Sequence, residues 1–180
     1  MKEALIVIDM CNDFVADDGR LTVGKAAQNL VPFIIEQCRD FIHQGGVIVF
    51  ATDNHPGGID GTWPKHCDPL TNGIKIYGQL GDWYDLMKDH PNILYQPKTT
   101  YNAFWQTPLA DWLRSKQVTT VNLVGVCTDI CVINTAAGAY FSGFKVNVLK
   151  KGCATIPVLQ KYEAPAYEMM QGSYAAQIVD

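Results

Sequence analysis

Apolar residues in this chain gather in short unbroken runs rather than in strict alternation. Ala4–Ile8, Val47–Thr52, Thr119–Val126 and Lys145–Leu149 are rich in Val, Ile and Leu. That is the pattern of strands covered on both faces, as in a parallel sheet. Asn92–Tyr95 is a weaker run of the same kind. Between these runs the period lengthens to that of a helix. Lys25–His43 sets Leu30, Ile34, Cys38 and Ile42 on one stripe, and the Gly45-Gly46 pair ends it. Thr107-Pro108 opens a helix to about Lys116 as a cap followed by proline. Ile130–Phe141 directly follows the Thr119–Val126 run and is closed by Gly143, and Glu163–Met170 reads as a last helix. This order predicts an α/β fold: one domain over residues 1–180, doubly wound, mainly parallel, with helices on both faces of the sheet. Asp53–Leu80 reads as one long irregular stretch, and loops of that length in compact domains usually carry function.

Composition narrows the classes. The 180 residues are 48% hydrophobic and 18% charged, which excludes a disordered chain. The net charge is −4 and no basic run occurs, so no nucleic-acid partner is expected. No apolar stretch approaches the roughly 18 residues of a membrane helix. Met1-Lys2-Glu3 leads straight into a short apolar segment, unlike a signal peptide, so the expected compartment is the cytoplasm. There the six cysteines read as reduced thiols rather than a disulfide framework.

In an open α/β sheet the ligand crevice lies at the carboxyl ends of the strands. Asp9 follows the first strand, Asp53 and His55 the second, Lys98 the weak one, and Cys127 to Cys131 the strand ending at Val126. Cys131 falls in the first turn of a helix, where unpaired N–H groups and the positive dipole end favour thiolate, so a lowered pKa is expected. The same N–H groups suit a tetrahedral oxyanion. No histidine lies near in sequence, which leaves Asp9 and Lys98 to handle the proton and the charge. Cys127 reads as a backbone contributor, and no second cysteine pair completes a zinc site with it. Asp53-Asn54-His55 puts two side chains on one side of an extended segment, and His66 lies eleven residues further on. Asp53, His55 and His66 thus suit a divalent Zn, Mn or Fe ion with open positions, and Asp60 is the candidate fourth ligand.

Taken together, these segments resemble the cysteine hydrolases of the isochorismatase-like superfamily, and within it the nicotinamidases (pyrazinamidases). Ile8-Asp9-Met10-Cys11-Asn12-Asp13-Phe14 is similar to the first-strand motif. Asp53-Asn54-His55 and Trp63-Pro64-Lys65-His66-Cys67 resemble the metal-binding segments. Lys98 to Phe104 resembles the lysine segment, and Gly125 to Val132 the nucleophile turn. The resemblance implies an Asp9–Lys98–Cys131 triad, six parallel strands, and a cis peptide at Val126–Cys127 that aims the Cys127 and Cys131 N–H groups at the oxyanion. It further implies an amidohydrolase that turns nicotinamide, or a close ring amide, into nicotinate and ammonia through a thioester, as in NAD salvage. The metal would orient the ring, with Phe14, Trp63 and Tyr101 packing on it. Self-association into a homo-oligomer also fits the family.

Three departures stand out. Cys11 sits where the family commonly has glutamine, the loop between His55 and His66 is short, and Lys151-Gly152-Cys153 lacks the acidic residue often found before its cysteine. A metal-free relative acting on ureido, carbamoyl or other small amides remains the alternative enzyme. A non-catalytic binding module is the alternative of another class.

Overall fold

The computed structural model describes residues 2–58, 61 and 63–180. Asp60, the candidate fourth ligand, lies outside the described residues.

The strands are β1 (Lys2–Ile8), β2 (Val47–Asp53), β3 (Ile93–Lys98), β4 (Val118–Val126), β5 (Lys145–Ala154) and β6 (Gln177–Val179). They form one six-stranded sheet in the order β3-β2-β1-β4-β5-β6. Every pairing is parallel. The helices are α1 (Asn12–Val15), α2 (Lys25–Gln28), α3 (Val31–His43), α4 (Gly78–Met87), α5 (Leu109–Ser115), α6 (Ile133–Phe141) and α7 (Glu163–Tyr174).

Successive strand residues point to opposite faces, and both faces are covered, which is why the strands read as continuous apolar runs. Ala4, Ile6, Val49 and Leu123 pack with Leu109 and Leu113 of α5, Ala136 of α6 and Met170 of α7. Leu5, Val7, Phe50 and Val124 pack on the other side with Ile34 and Cys38 of α3 and Leu80 of α4. The chain winds outward from β1 through β2 to β3, then returns to β4 beside β1. That reversal places the crevice between the ends of β1 and β4.

Several boundaries differ from the sequence reading. The expected helix Lys25–His43 is two helices, because Pro32 has no N–H to donate to the carbonyl of Gln28, where α2 ends. The helix α4 was not expected. Gly78 and Gly81 lower its propensity, although Leu80, Trp83, Tyr84 and Met87 keep the i, i+3, i+4, i+7 stripe. β6 has three residues, too few for a period to show. β5 runs on to Ala154 through Gly152, where a Cβ would stand 2.6 Å from Val124 Cγ1 and 3.0 Å from Phe33 Cε1. A side chain at this position would have to displace those of Val124 and Phe33.

Candidate active site

Five segments meet at the carboxyl edge of the sheet. Asp9 follows β1 with φ at 54°, a left-handed conformation that turns the chain out of the strand. Its Oδ1 accepts the Asp53 amide at 2.8 Å, tying the end of β1 to the end of β2. Asp53 and Lys98 are register partners at the ends of β2 and β3. Gly125, near the end of β4, has φ at 117°, and a Cβ there would stand 2.0 Å from the Ile8 carbonyl oxygen. Only glycine permits so close an approach of the two strands.

Beyond β4 the Val126–Cys127 peptide is cis, as the resemblance implies. The next turn, Thr128–Val132, is π-wound, and the Val132 N–H donates to the Cys127 carbonyl at 3.1 Å. Cys131 therefore sits in a π turn ahead of α6, not in the first α-helical turn that the apolar spacing predicts. Such turns recur at functional sites.

The turn is held from two sides. Thr128 Oγ1 donates to Glu163 Oε1 at 2.9 Å, and the Thr155 hydroxyl bonds to the Asp129 carboxylate.

Lys98 is the hub of the buried charges and is 1% exposed. Its Nζ donates to Asp9 Oδ2 at 2.8 Å, lies 3.7 Å from Cys131 Sγ, and bonds to Asp53 Oδ1. Asp9, Lys98 and Cys131 are thus brought together. Burial would lower the Lys98 ammonium, but the Asp9 and Asp53 carboxylates hold its pKa well above the usual value. Burial and the Asp53 charge raise the Asp9 carboxyl to about 6, with Lys98 opposing them. Burial would also raise Asp53, yet Lys98 and the two neighbouring imidazoles keep it well below the usual carboxylate range.

Cys131 corrects an expectation. Burial pushes its thiol well above the ordinary value, and the nearby Asp9 and Asp53 anions add to that against the pull of Lys98. Desolvation outweighs the terminal dipole in this packing and favours the thiol over the thiolate. Cys127 behaves as a structural cysteine, its thiol pushed up to about 12 by burial and by Asp129.

Asp53, His55 and His66 form a buried cluster in which one donor atom from each lies within 4.8 Å of the others. His55 Nε2 and His66 Nε2 stand 3.5 Å and 3.6 Å from Asp53 Oδ2. Donors bonded at about 2.1 Å around a tetrahedral ion are spaced by about 3.4 Å. His66 Nδ1 lies 2.8 Å from the Pro64 carbonyl oxygen, a contact that orients the ring so that Nε2 faces the cluster. The donor set fits a divalent cation.

A cavity lined by Phe14, Trp63, Tyr101, Cys131, Asp53 and His66, among others, connects the two groups. Phe14 meets the His66 ring edge to face at 5.6 Å, and Trp63 Nε1 donates to the Tyr101 hydroxyl at 3.0 Å. Leu21, Ile130 and Ile156 also line the cavity and were not anticipated. Ile130 is legible only as the neighbour of Cys131. Leu21 and Ile156 come from irregular segments with no spacing signal.

The Isochorismatase domain model matches residues 3–179. The chain belongs to the isochorismatase family. An isochorismatase family protein of Bacillus subtilis (strain 168), PncA, is 38% identical over 185 residues, which is 100% of both chains. The crystal structure of nicotinamidase/pyrazinamidase PncA from Bacillus subtilis superposes with a TM-score of 0.93 at 36% identity and 100% coverage of both chains. The crystal structure of the pyrazinamidase of Pyrococcus horikoshii in complex with zinc gives a TM-score of 0.86 at 31% identity, covering 100% of this chain and 99% of that one. Among the described residues of this family member, no helix is long and apolar enough to cross a membrane.

Proposed function

We propose that this protein is a nicotinamidase: a cysteine amidohydrolase, one domain over residues 1–180, that converts nicotinamide to nicotinate and ammonia. The observation that carries the reading is the joining of two sites by one aromatic cavity, which reaches from the Cys131 thiol to the Asp53–His55–His66 cluster. A flat ring amide placed there has its carboxamide at the sulfur and its ring nitrogen toward the cluster. The likeness to nicotinamidase and pyrazinamidase structures supports the same substrate class.

At neutral pH Asp9, with its pKa near 6, is a carboxylate and takes the Cys131 proton as the sulfur attacks the amide carbon. Lys98 offsets the charge on both partners. The Cys127 and Cys131 N–H groups receive the oxyanion. Collapse breaks the C–N bond as Asp9 returns the proton to the leaving nitrogen, and ammonia departs. Asp9 then deprotonates a water that attacks the thioester, releasing nicotinate and restoring the thiol. Asp53, His55 and His66 would hold a divalent Zn, Mn or Fe ion, which would supply a Lewis acid for the ring nitrogen. Phe14, Trp63 and Tyr101 flank the ring and exclude water. The six free thiols suit a reducing cytoplasm.

The test is ammonia release from a panel of nicotinamide, pyrazinamide, ureido and carbamoyl substrates, with the protein chelated and then reloaded with zinc, manganese or iron. Ring amides should turn over and require the added ion. Cys131→Ala should lose at least about a thousand-fold in rate while still binding nicotinamide. Preference for carbamoyl substrates, or full turnover in the chelated protein, would defeat the proposal.

A further inference from the structure

Cys11 and Cys67 are both 0% exposed, and their sulfurs lie 3.7 Å apart across 56 residues of chain. Neither belongs to the triad, and Cys11 is the residue that stands in place of the family's common glutamine. All six cysteines are free thiols, and this pair is in direct van der Waals contact.

The surroundings of the two differ. Cys11 is fixed by its backbone: it caps the start of α1 and pairs with Ile76 in an antiparallel bridge. Cys67 lies in an irregular segment with φ at 46°, a conformation unfavourable for a residue with a side chain. Its backbone is also the splint of the cation cluster. The Cys67 carbonyl accepts the His55 amide at 3.0 Å, its amide donates to Asp13 Oδ2 at 2.6 Å, and it directly follows His66.

We infer that Cys11 and Cys67 are a redox pair which closes to an intramolecular disulfide and thereby loosens the hold of His55 and His66 on a cation. The inference rests on the metal-site reading above. Closure shortens the sulfur separation from 3.7 Å to about 2.05 Å. Cys67 is bonded to His55 through its carbonyl and adjoins His66, so a backbone shift of Cys67 on closure reaches both imidazoles. The chemistry needs a two-electron oxidant of the peroxide or azo class. With hydrogen peroxide, one thiol becomes a sulfenic acid with release of water. The second thiol then displaces hydroxide, giving the disulfide and a second water. With diamide, two S–H bonds break, one S–S bond forms, and the N=N bond takes up both hydrogens. A dithiol reductant reverses either path.

The experiment treats the folded protein with diamide at neutral pH, alkylates the remaining thiols, and maps the peptides by mass. Zinc affinity is measured in parallel, with a chromophoric competitor, on reduced, oxidised and re-reduced protein. The expected result is a linked Cys11–Cys67 peptide pair, a fall of about ten-fold or more in zinc affinity, and recovery of both on reduction. Cys11→Ser should hold zinc like reduced wild type and show no loss with diamide. Both residues recovered as alkylated thiols, or either one linked to a different cysteine, would overturn the pair. A mapped disulfide with unchanged zinc affinity would overturn the coupling. Reduced protein that binds no zinc at all would overturn the coupling and the metal-site reading together, while the peptide map would still decide the disulfide.

Discussion

The Lys98 ammonium bonds to Asp53 Oδ1, while Asp53 Oδ2 faces the two imidazoles at 3.5 Å and 3.6 Å. One carboxylate therefore belongs both to the cation cluster and to the charges around Cys131. Asp53→Asn should act on both sides. Zinc affinity, read by competition titration, should fall by more than the roughly ten- to hundred-fold typical of losing an outer partner. The Asp9 pKa should drop as well, because the Asp53 anion is one of the causes that raise it. An unchanged zinc affinity would show that Asp53 is not a ligand.

The acid-side pH dependence follows from Asp9. Above about pH 6 it is ionised and can take the Cys131 proton, and below that it is protonated and cannot. The rate of Cys131 alkylation by iodoacetamide in metal-free protein should therefore fall on the acid side of a limb near pH 6. Without Asp9 as base, the rate would rise only in strongly alkaline solution. Loading a cation should move the limb to lower pH, since positive charge at Asp53 offsets the anion that raises Asp9. A limb that appears only at alkaline pH would show that Asp9 does not serve as the base.

Lys98 stabilises as well as positions. Lys98→Met removes the ammonium that bonds to both Asp9 and Asp53, which are almost fully buried. Unfolding of the metal-free variant in urea should reveal a loss of about 3–5 kcal/mol, the usual cost of leaving buried charge uncompensated. Part of that loss should return when zinc is added. A variant as stable as wild type would mean that the three groups are not charged together.

Gly152 makes a packing claim. Gly152→Ala places a methyl group 2.6 Å from Val124 Cγ1, and the overpacking should cost about 1–3 kcal/mol. Adding Val124→Ala removes the obstructing atom, so the double variant should lose less than the two single losses added together. Strict additivity by thermal and urea unfolding would refute the contact.

Much of this architecture is legible in the residues because burial on both faces writes itself as continuous apolar runs. Those runs place Asp9, Asp53, Lys98 and Cys127 at strand ends before any coordinate is known. Four things resist such reading. The helix α4 hides behind two glycines and β6 is too short to show a period. The Cys131 thiol depends on a contest between desolvation and local dipoles, and only the packed protein decides it. Sequence places Cys131 near a helix start, where the dipole argues for thiolate. The fold then buries it beside two carboxylates, which argues the other way and prevails. The cavity walls Leu21 and Ile156 are neighbours only in three dimensions.

Lys98 is supplied by β3, the outermost strand on its side of the sheet. Its carbonyl accepts the Asn54 amide on the inner side, so the preceding residue, Pro97, turns its N–H-less nitrogen to the open side. A row of donors with that gap is a poor template for another chain. The missing donor stands next to the residue whose amine lies 3.7 Å from the Cys131 sulfur, so the open edge is interrupted just where the strand delivers its buried charge.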